Sequence, residues 1–232
     1  MYYYYFDPIY FWYVFVPIIV LSLLVQIYLQ RSVSKWSKAP NSSNLTGLQA
    51  GHQLFNRTSL KAIPIEHISG SLNDHFDPGA NVVRLSDTVA KQKTIAALAV
   101  TAHELGHVQQ YQTGSALIGA RNFLLPALQF SPMLSYIAFF LGFMFNMTNM
   151  LWIGVFFFAL MVIFSILTLP VEINASRRAL KLLTEANLLG STDEKRGVRQ
   201  VLNAAAMTYL AAAITSLLQL LYYISVTKRR SG

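Results

Sequence analysis

Four long apolar blocks constrain this chain more than any other feature of its sequence. Of its 232 residues, 54 % are hydrophobic and only 12 % are charged, a balance that soluble domains rarely show. Each block has or approaches the roughly 20 residues that a helix needs to cross a bilayer. The sequence therefore predicts a mainly α integral membrane protein with about four transmembrane helices. The blocks cover approximately residues 9–29, 130–147, 150–169 and 203–226.

The basic residues indicate how these blocks are oriented. Nine Lys or Arg lie within 31–129 and six within 170–202, whereas the tail carries Lys228, Arg229 and Arg230. The positive-inside rule then favours a multi-pass protein of the cell membrane with both polar segments in the cytoplasm and its N-terminus outside. The three tail charges do not fit this orientation, because four spans would place the tail outside. Either the last helix is re-entrant or interfacial, or the tail lies outside.

The overall charge also bears on the class of partner. A formal charge of +8 could suggest nucleic acid, but the basic residues form no dense run with interleaved aromatic residues. They flank the apolar blocks, as topology determinants and contacts for anionic lipid headgroups do. We therefore predict the lipid bilayer as a partner and no nucleic acid. The chain has no Cys, so any metal must be held by nitrogen and oxygen ligands.

The blocks divide the chain into five predicted segments. They are an N-terminal transmembrane anchor (1–30), a soluble lobe (31–129), a transmembrane hairpin (130–169), a segment with a polar helix from about Glu172 (170–202), and a last transmembrane helix with a basic tail (203–232).

Capping and turn signals predict a small α+β fold for the lobe. Thr46 can cap a helix over about 47–58. The β-branched segments 63–68 and 81–85 lie on either side of the turn signal Asp77-Pro78-Gly79, which predicts a β-hairpin or meander. The second of these segments could be an edge strand that pairs with the backbone of a substrate, or it could be purely structural.

The motif His103-Glu104-Leu105-Gly106-His107 lies on a helix predicted from Asp87 or Thr88 to about Gln112. Residues four apart share a helix face, so the two histidines direct their imidazoles to one point. Glu104 lies beside them, where it can reach a water molecule that the metal activates without ligating the metal itself. This is the arrangement of a zinc hydrolase with a Glu general base. A solvated helix that carries two histidines is the alternative, but the small apolar residues just before the motif predict a packed one.

A catalytic zinc needs a third protein ligand. No histidine follows His107, and Gln110 and Thr113 stand where a metzincin would carry Gly and His, so the ligand must be a carboxylate. Glu172 is favoured because the hairpin before it returns the chain to the membrane face of His107. It could instead be a helix N-terminal carboxylate. The other downstream acids, which lie in a segment typical of a solvated surface, are Glu185, Asp193 and Glu194.

Three further residues could assist the reaction. His75 could donate to the oxyanion, although a hydrogen-bonded turn histidine is at least as good an interpretation. Arg177 and Arg178 could do the same, but at a membrane face arginines more often contact lipid phosphates.

Five separated motifs together resemble the bacterial neutral zinc metallopeptidases of the YugP type, and the resemblance covers essentially the whole chain. The motifs are Tyr5-Phe-Asp-Pro-Ile-Tyr10, Asp74-His-Phe-Asp-Pro78, Ala102-His-Glu-Leu-Gly-His107, Leu169-Pro-Val-Glu-Ile-Asn-Ala-Ser-Arg-Arg178 and Asn203-Ala-Ala-Ala-Met-Thr-Tyr209.

That family is in turn similar to the M48 gluzincins, whose third ligand is the Glu of a Glu-x-x-Ala-Asp sequence. The resemblance implies Glu172 as the ligand, since the matching residues here are Glu172-Ile-Asn-Ala-Ser176. Ser176 replaces the Asp that would orient a ligand histidine. Asn174, Ser176 or Asp74 could take over that role.

The combined prediction is a membrane-bound endopeptidase with one catalytic Zn²⁺ held by His103, His107 and Glu172 and with Glu104 as general base. Its site would face the cytoplasm, and its substrates would be membrane-associated or misfolded polypeptides. Two alternatives are a non-catalytic membrane scaffold with a structural zinc and an intramembrane protease of the site-2 type. The second usually needs an Asp ligand inside a later membrane helix, and none of the apolar blocks contains one.

Overall fold

The structure is a computed structural model that describes residues 7–71 and 73–231. The first residues of the Tyr5–Tyr10 motif lie outside this described part. In chain order the elements are α1 (Pro8–Trp36), α2 (Gly47–Arg57), β1 (Ile65–Ile68), β2 (His75–Asp77), β3 (Val82–Ser86), α3 (Asp87–Ala90), α4 (Ile95–Gln112), α5 (Ala116–Met144), α6 (Thr148–Glu185) and α7 (Thr192–Ser231).

Four of these helices, α1, α5, α6 and α7, are long and apolar enough to cross a membrane. Together with the small three-stranded sheet they confirm the predicted fold class, a mainly α membrane protein with a small α+β lobe. The helices are longer than the apolar blocks that predicted them. α1 also contains a π-helical turn at Phe11–Phe15.

The predicted start of a polar helix near Glu172 is wrong, because the third apolar block and the polar helix form the single helix α6. Pro170 lies inside this helix. A proline biases the preceding residue away from helical geometry without forcing a boundary, so the pattern suggested a break that the chain does not make. Glu172 therefore lies well inside α6, which rules out the interpretation as a helix N-terminal carboxylate.

The strand order in the sheet is β1-β3-β2. β1 pairs with β3 in parallel, and β2 forms the antiparallel hairpin with β3. The segments 63–68 and 81–85 are thus neighbours, but the hairpin partner is a strand that the sequence analysis assigned to the turn region. β3 is paired on both sides and four of its five residues are buried, which excludes the edge strand and leaves the structural alternative.

The helices of the lobe follow their capping residues. Thr46 forms a capping box with Gln49 at the start of α2, as predicted. The helix expected from Asp87 to Gln112 is instead split, because Thr94 accepts a hydrogen bond from the Ala97 N–H and caps α4 separately from α3. A cap of this kind satisfies one of the amide donors that a helix start leaves unpaired.

The chain forms two compact units. The first contains the described residues up to Val25, Gly119–Pro170 and the chain from Thr208 onward. The second contains Gln26–Ile118 and Val171–Met207, that is the sheet, α2 to α4 and the polar parts of the long helices. All four predicted site residues belong to the second unit.

Within the first unit, the basic tail has partners. Lys228 to Arg230 continue α7, which ends at Ser231. Arg229 lies 3.9 Å from the carboxylate of Asp7, and Arg230 donates a 3.2 Å hydrogen bond to Asn146 in the turn between α5 and α6. These contacts provide a local explanation for tail charges that the charge count did not accommodate.

Within the second unit, Glu194 is buried, although the sequence analysis placed it on a solvated surface. Its side chain is 3 % exposed and accepts hydrogen bonds from the N–H and Oγ of Ser42 and from the N–H of Gly190. It fastens the segment before α2 to the start of α7. Isolated acidic residues in a polar sequence segment carry no signal that distinguishes this role from a solvated one.

Candidate metal centre

The motif helix α4 is buried on nearly all sides, which is why its sequence is small and apolar. Ala102, Leu105 and Val108 are fully buried among the core residues of the second unit. Gly106 allows the closest approach in this region, because a Cβ atom there would overlap the carbonyl oxygen of Ala175 on α6. The glycine in the motif therefore lets α6 pass directly against the histidines.

Three potential ligand side chains meet at this crossing. His103 and His107 point from α4 and Glu172 points from α6, and their nearest ligand atoms all lie within 4.8 Å of one another. The Nε2 atoms of His103 and His107 lie 3.2 Å and 3.5 Å from Glu172 Oε2. Glu172 is 3 % exposed, so these atoms form a nearly enclosed cluster.

The cluster fits a zinc ion by distance and by donor type. Zinc binds imidazole nitrogen and carboxylate oxygen at about 2.0–2.2 Å, so two ligand atoms of a tetrahedral site lie about 3.3–3.6 Å apart. The two histidine–carboxylate distances agree with that separation to within about 0.1 Å. Two imidazoles and one carboxylate also leave a fourth position for water or substrate, as catalytic zinc sites require.

Glu104 is held beside the cluster by the sheet. Its Oε2 accepts a 2.9 Å hydrogen bond from the backbone N–H of Phe76 in β2, and its side chain is 7 % exposed. The ring of Phe76 contacts Tyr111, which lies two helical turns beyond Glu104 on α4. The hairpin thus fixes the direction of this carboxylate from outside the motif helix.

Both histidines are oriented by neutral side chains. His103 Nδ1 lies 3.3 Å from Ser176 Oγ, and His107 Nδ1 lies 3.0 Å from Gln110 Oε1. Hydrogen bonds to the second ring nitrogen of a metal-binding histidine fix the ring and its tautomer. The group behind His103 is therefore Ser176, at the position where the M48 pattern has Asp.

A family model described as "Putative neutral zinc metallopeptidase" matches residues 11–228, which is nearly the whole chain. The chain belongs to this family. Its match includes α4, α6 and all four site residues. Zinc is accordingly the metal that the family implies for the cluster.

A curated relative is also similar to this chain along most of its length. It is the "Putative membrane protease YugP" of Bacillus subtilis (strain 168), 34 % identical over 206 residues, which cover 89 % of this chain and 91 % of the relative. No solved structure matches the chain.

The charges of the cluster shift the pKa of His107. Burial by itself would lower this pKa, but the hydrogen bond with Glu172 and the negative charge of Glu104 raise it above its usual value. In the absence of metal, His107 thus keeps its second proton up to a higher pH than an ordinary histidine does. Metal binding must displace this proton.

The other predicted residues form their hydrogen bonds with groups outside the cluster. Asp74 accepts hydrogen bonds from the N–H and Oγ of Ser86, so it fastens the segment before β2 to the end of β3. His75 is exposed and its Nδ1 lies 2.8 Å from the carbonyl oxygen of Asn73, the contact expected of a turn histidine. Arg177 is exposed, and Arg178 donates to Asn174 and Gln109.

Two contributors to the site were missed by the sequence analysis. Gln110 lies three residues after His107, a spacing that places both on one face of a helix, so its position was a usable signal. The contribution of Phe76 is a backbone N–H, which no side-chain pattern can reveal.

Proposed function

We propose that this protein is a membrane-bound zinc-dependent endopeptidase with a gluzincin-like site. The observation that carries the proposal is the convergence of His103, His107 and Glu172 at zinc-ligand spacing, with Glu104 held beside them. A structural zinc site is typically closed by four protein ligands, whereas this cluster offers three. The neighbouring carboxylate is the group that a hydrolase needs in addition.

Each residue would have a distinct role. His103, His107 and Glu172 would hold the ion, which supplies Lewis acidity and lowers the pKa of a water molecule in the site. The hydrogen bond from Phe76 occupies Oε2 of Glu104, so we assign Oε1 to proton transfer. This oxygen accepts a proton from the attacking water and passes it to the nitrogen of the leaving amine.

The substrate class follows from where Glu172 lies in the chain. α6 carries an apolar stretch long enough to cross a membrane, and Glu172 lies close behind it in the same helix. A site built on this part of α6 would lie at the membrane surface. We therefore propose membrane-associated or misfolded polypeptides as substrates, with the site at the cytoplasmic face and the N-terminus outside in accordance with the positive-inside rule.

The experiment compares wild-type protein with Glu104→Gln in proteoliposomes, using an unfolded polypeptide as substrate. Both proteins should bind about one zinc per chain, because Glu104 is not a ligand. Cleavage should fall by about 10²- to 10⁴-fold in Glu104→Gln, the usual contribution of a general base. Glu185→Gln on the same helix α6 is the matched control and should cleave normally, since Glu185 is exposed and pairs with Lys181 at the surface.

Cleavage at the wild-type rate by Glu104→Gln would refute the proposed mechanism. Cells whose phenotype is fully restored by Glu104→Gln would favour the non-catalytic scaffold. To identify the substrates, membranes from cells with wild-type or Glu104→Gln protein can be compared by proteomics. Substrates are the polypeptides that accumulate only with the variant.

A further inference from the structure

Gln110 is a buried polar side chain whose hydrogen-bonding atoms all have partners. It is 0 % exposed between α4 and α6. Its Nε2 donates to the carbonyl oxygen of Val171 at 2.9 Å and to Asn174 Oδ1 at 2.8 Å. Its Oε1 faces His107 Nδ1 at 3.0 Å. The side chain thus connects one proposed ligand to the helix that carries another.

The direction of each hydrogen bond in the series from Arg178 to His107 can be assigned by starting at Arg178. The guanidinium of Arg178 can only donate, so the Asn174 atom 2.8 Å from Arg178 Nε must be the acceptor Oδ1. Because Oδ1 and the Val171 carbonyl are both acceptors, the Gln110 atom facing them must be the amide nitrogen. The remaining atom, Oε1, can then only accept.

His107 must therefore carry its proton on Nδ1. A neutral imidazole with Nδ1–H has its lone pair on Nε2, the atom that faces Glu172 Oε2. The other tautomer would place a hydrogen on Nε2 and block ligation of a metal at that atom. It would also set two lone pairs, those of Nδ1 and Gln110 Oε1, against each other.

We propose that Gln110, oriented by Asn174 and Arg178, is the positioning residue that holds His107 in the tautomer and ring orientation required for zinc. This inference rests on the proposed function only in taking zinc as the metal. It concerns no step of peptide hydrolysis. It also assigns a role to Asn174, which lies between Glu172 and Ser176 in α6 but touches neither histidine.

The test uses a pair of variants at Asn174 and a single variant at Gln110, all in the full-length, detergent-solubilised protein. Asn174→Asp keeps an acceptor oxygen for Gln110 and Arg178, whereas Asn174→Leu removes it at similar volume. Gln110→Met removes the acceptor for His107. Zinc affinity is measured by competition with a chelator. The tautomer is observed in the cobalt-substituted protein, where the ring N–H protons of bound histidines give shifted NMR lines that vanish in D₂O.

Gln110→Met should lose about 10- to 100-fold in zinc affinity, as is typical when the hydrogen-bond partner of a ligand histidine is removed. Its exchangeable line from His107 should broaden or disappear. Asn174→Leu should also lower zinc affinity and weaken the exchangeable line from His107. The zinc affinity of Asn174→Asp should stay within about threefold of the wild type. A purely structural contribution of Asn174 would lower the melting temperature and leave the tautomer line unchanged.

The inference is overturned if Asn174→Leu retains wild-type zinc affinity and both exchangeable lines, or if Asn174→Asp behaves like Asn174→Leu. The Asn174 pair decides the question even if Gln110→Met fails to fold. Neither readout requires a substrate. A protein that shows these effects but cleaves no polypeptide would refute the proposed peptidase and leave the role of Gln110 intact.

Discussion

Gly106 is the position where a single methyl group should separate the proposed metal ligands. A Cβ atom at Gly106 would overlap the carbonyl oxygen of Ala175 and lie 3.1 Å from its carbonyl carbon and 3.3 Å from its Cα. These atoms belong to the backbone of α6, so no side-chain rotation can relieve the overlap. Gly106→Ala must therefore move α4 and α6 apart.

The magnitude follows from these distances. Carbon atoms pack best at about 3.5–4.0 Å, so the helices must separate by about 0.5 Å or more. The ligand atoms of His103 and His107 would move away from Glu172 by a similar amount, whereas metal–ligand distances tolerate only about 0.2 Å. Restoring the approach costs about 1–3 kcal/mol of overpacking strain. If zinc binding has to provide this energy, affinity falls by roughly 5- to 150-fold.

The assay is competition for zinc against a chelator, combined with the melting temperature of the metal-free protein. Gly119→Ala is the matched control, because its added Cβ atom meets no other atom within 4 Å. Gly119→Ala should keep wild-type zinc affinity. Folded Gly106→Ala that binds zinc as tightly as the wild type would contradict this separation of the helices, as would an equal loss of affinity in the control.

Replacing Glu172 by Gln should weaken zinc binding by more than about 100-fold, because the loss of a ligand should exceed the roughly 10- to 100-fold effect of losing a group that only hydrogen-bonds a ligand. Glu185→Gln should not alter zinc affinity in the same chelator assay. The raised pKa of His107 stabilises the metal-free protein fully below the unfolded value near 6.5, and this contribution disappears as pH rises through the higher folded-state value. As the solution is acidified, protons compete with zinc for His107, so zinc affinity should begin to fall before the pH has dropped to 6.5. Affinity that stays constant down to pH 6 would contradict this. Glu194→Gln should destabilise the fold by about 1–3 kcal/mol in denaturant titrations, because a buried acceptor of three hydrogen bonds becomes partly unsatisfied. Asp193→Asn, with a side chain 79 % exposed, should change stability by less than about 0.5 kcal/mol.

The membrane helices could be predicted from the sequence because hydrophobic length is a property of a contiguous segment. The ends of these helices could not be predicted, since α6 continues through Pro170 into a polar region whose stability depends on packing in the second unit. The sheet was predicted only in part for a related reason. A turn signal at Asp77-Pro78-Gly79 predicts a reversal of the chain, but it does not state which of the two preceding segments pairs with β3.

The sequence predicted those side chains of the candidate site whose positions depend on local spacing along the chain. The four-residue interval between His103 and His107 defines a helix face, and the absence of later histidines leaves only a carboxylate as third ligand. The partners that orient these groups could not be found in this way. Ser176 and Gln110 act across the α4–α6 contact, and Phe76 acts through its backbone.

The neutral partners of the two histidines also determine the charge of the site. A divalent cation with Glu172 and Glu104 sums to zero, and such a balanced group is far cheaper to bury than one with a net charge. A carboxylate in place of Ser176 would add one negative charge and leave this buried group with a net charge. It would also make His103 a more basic ligand and so reduce the Lewis acidity of the ion. With Ser176 at this position, the proposed group of zinc, Glu172 and Glu104 therefore stays balanced in charge.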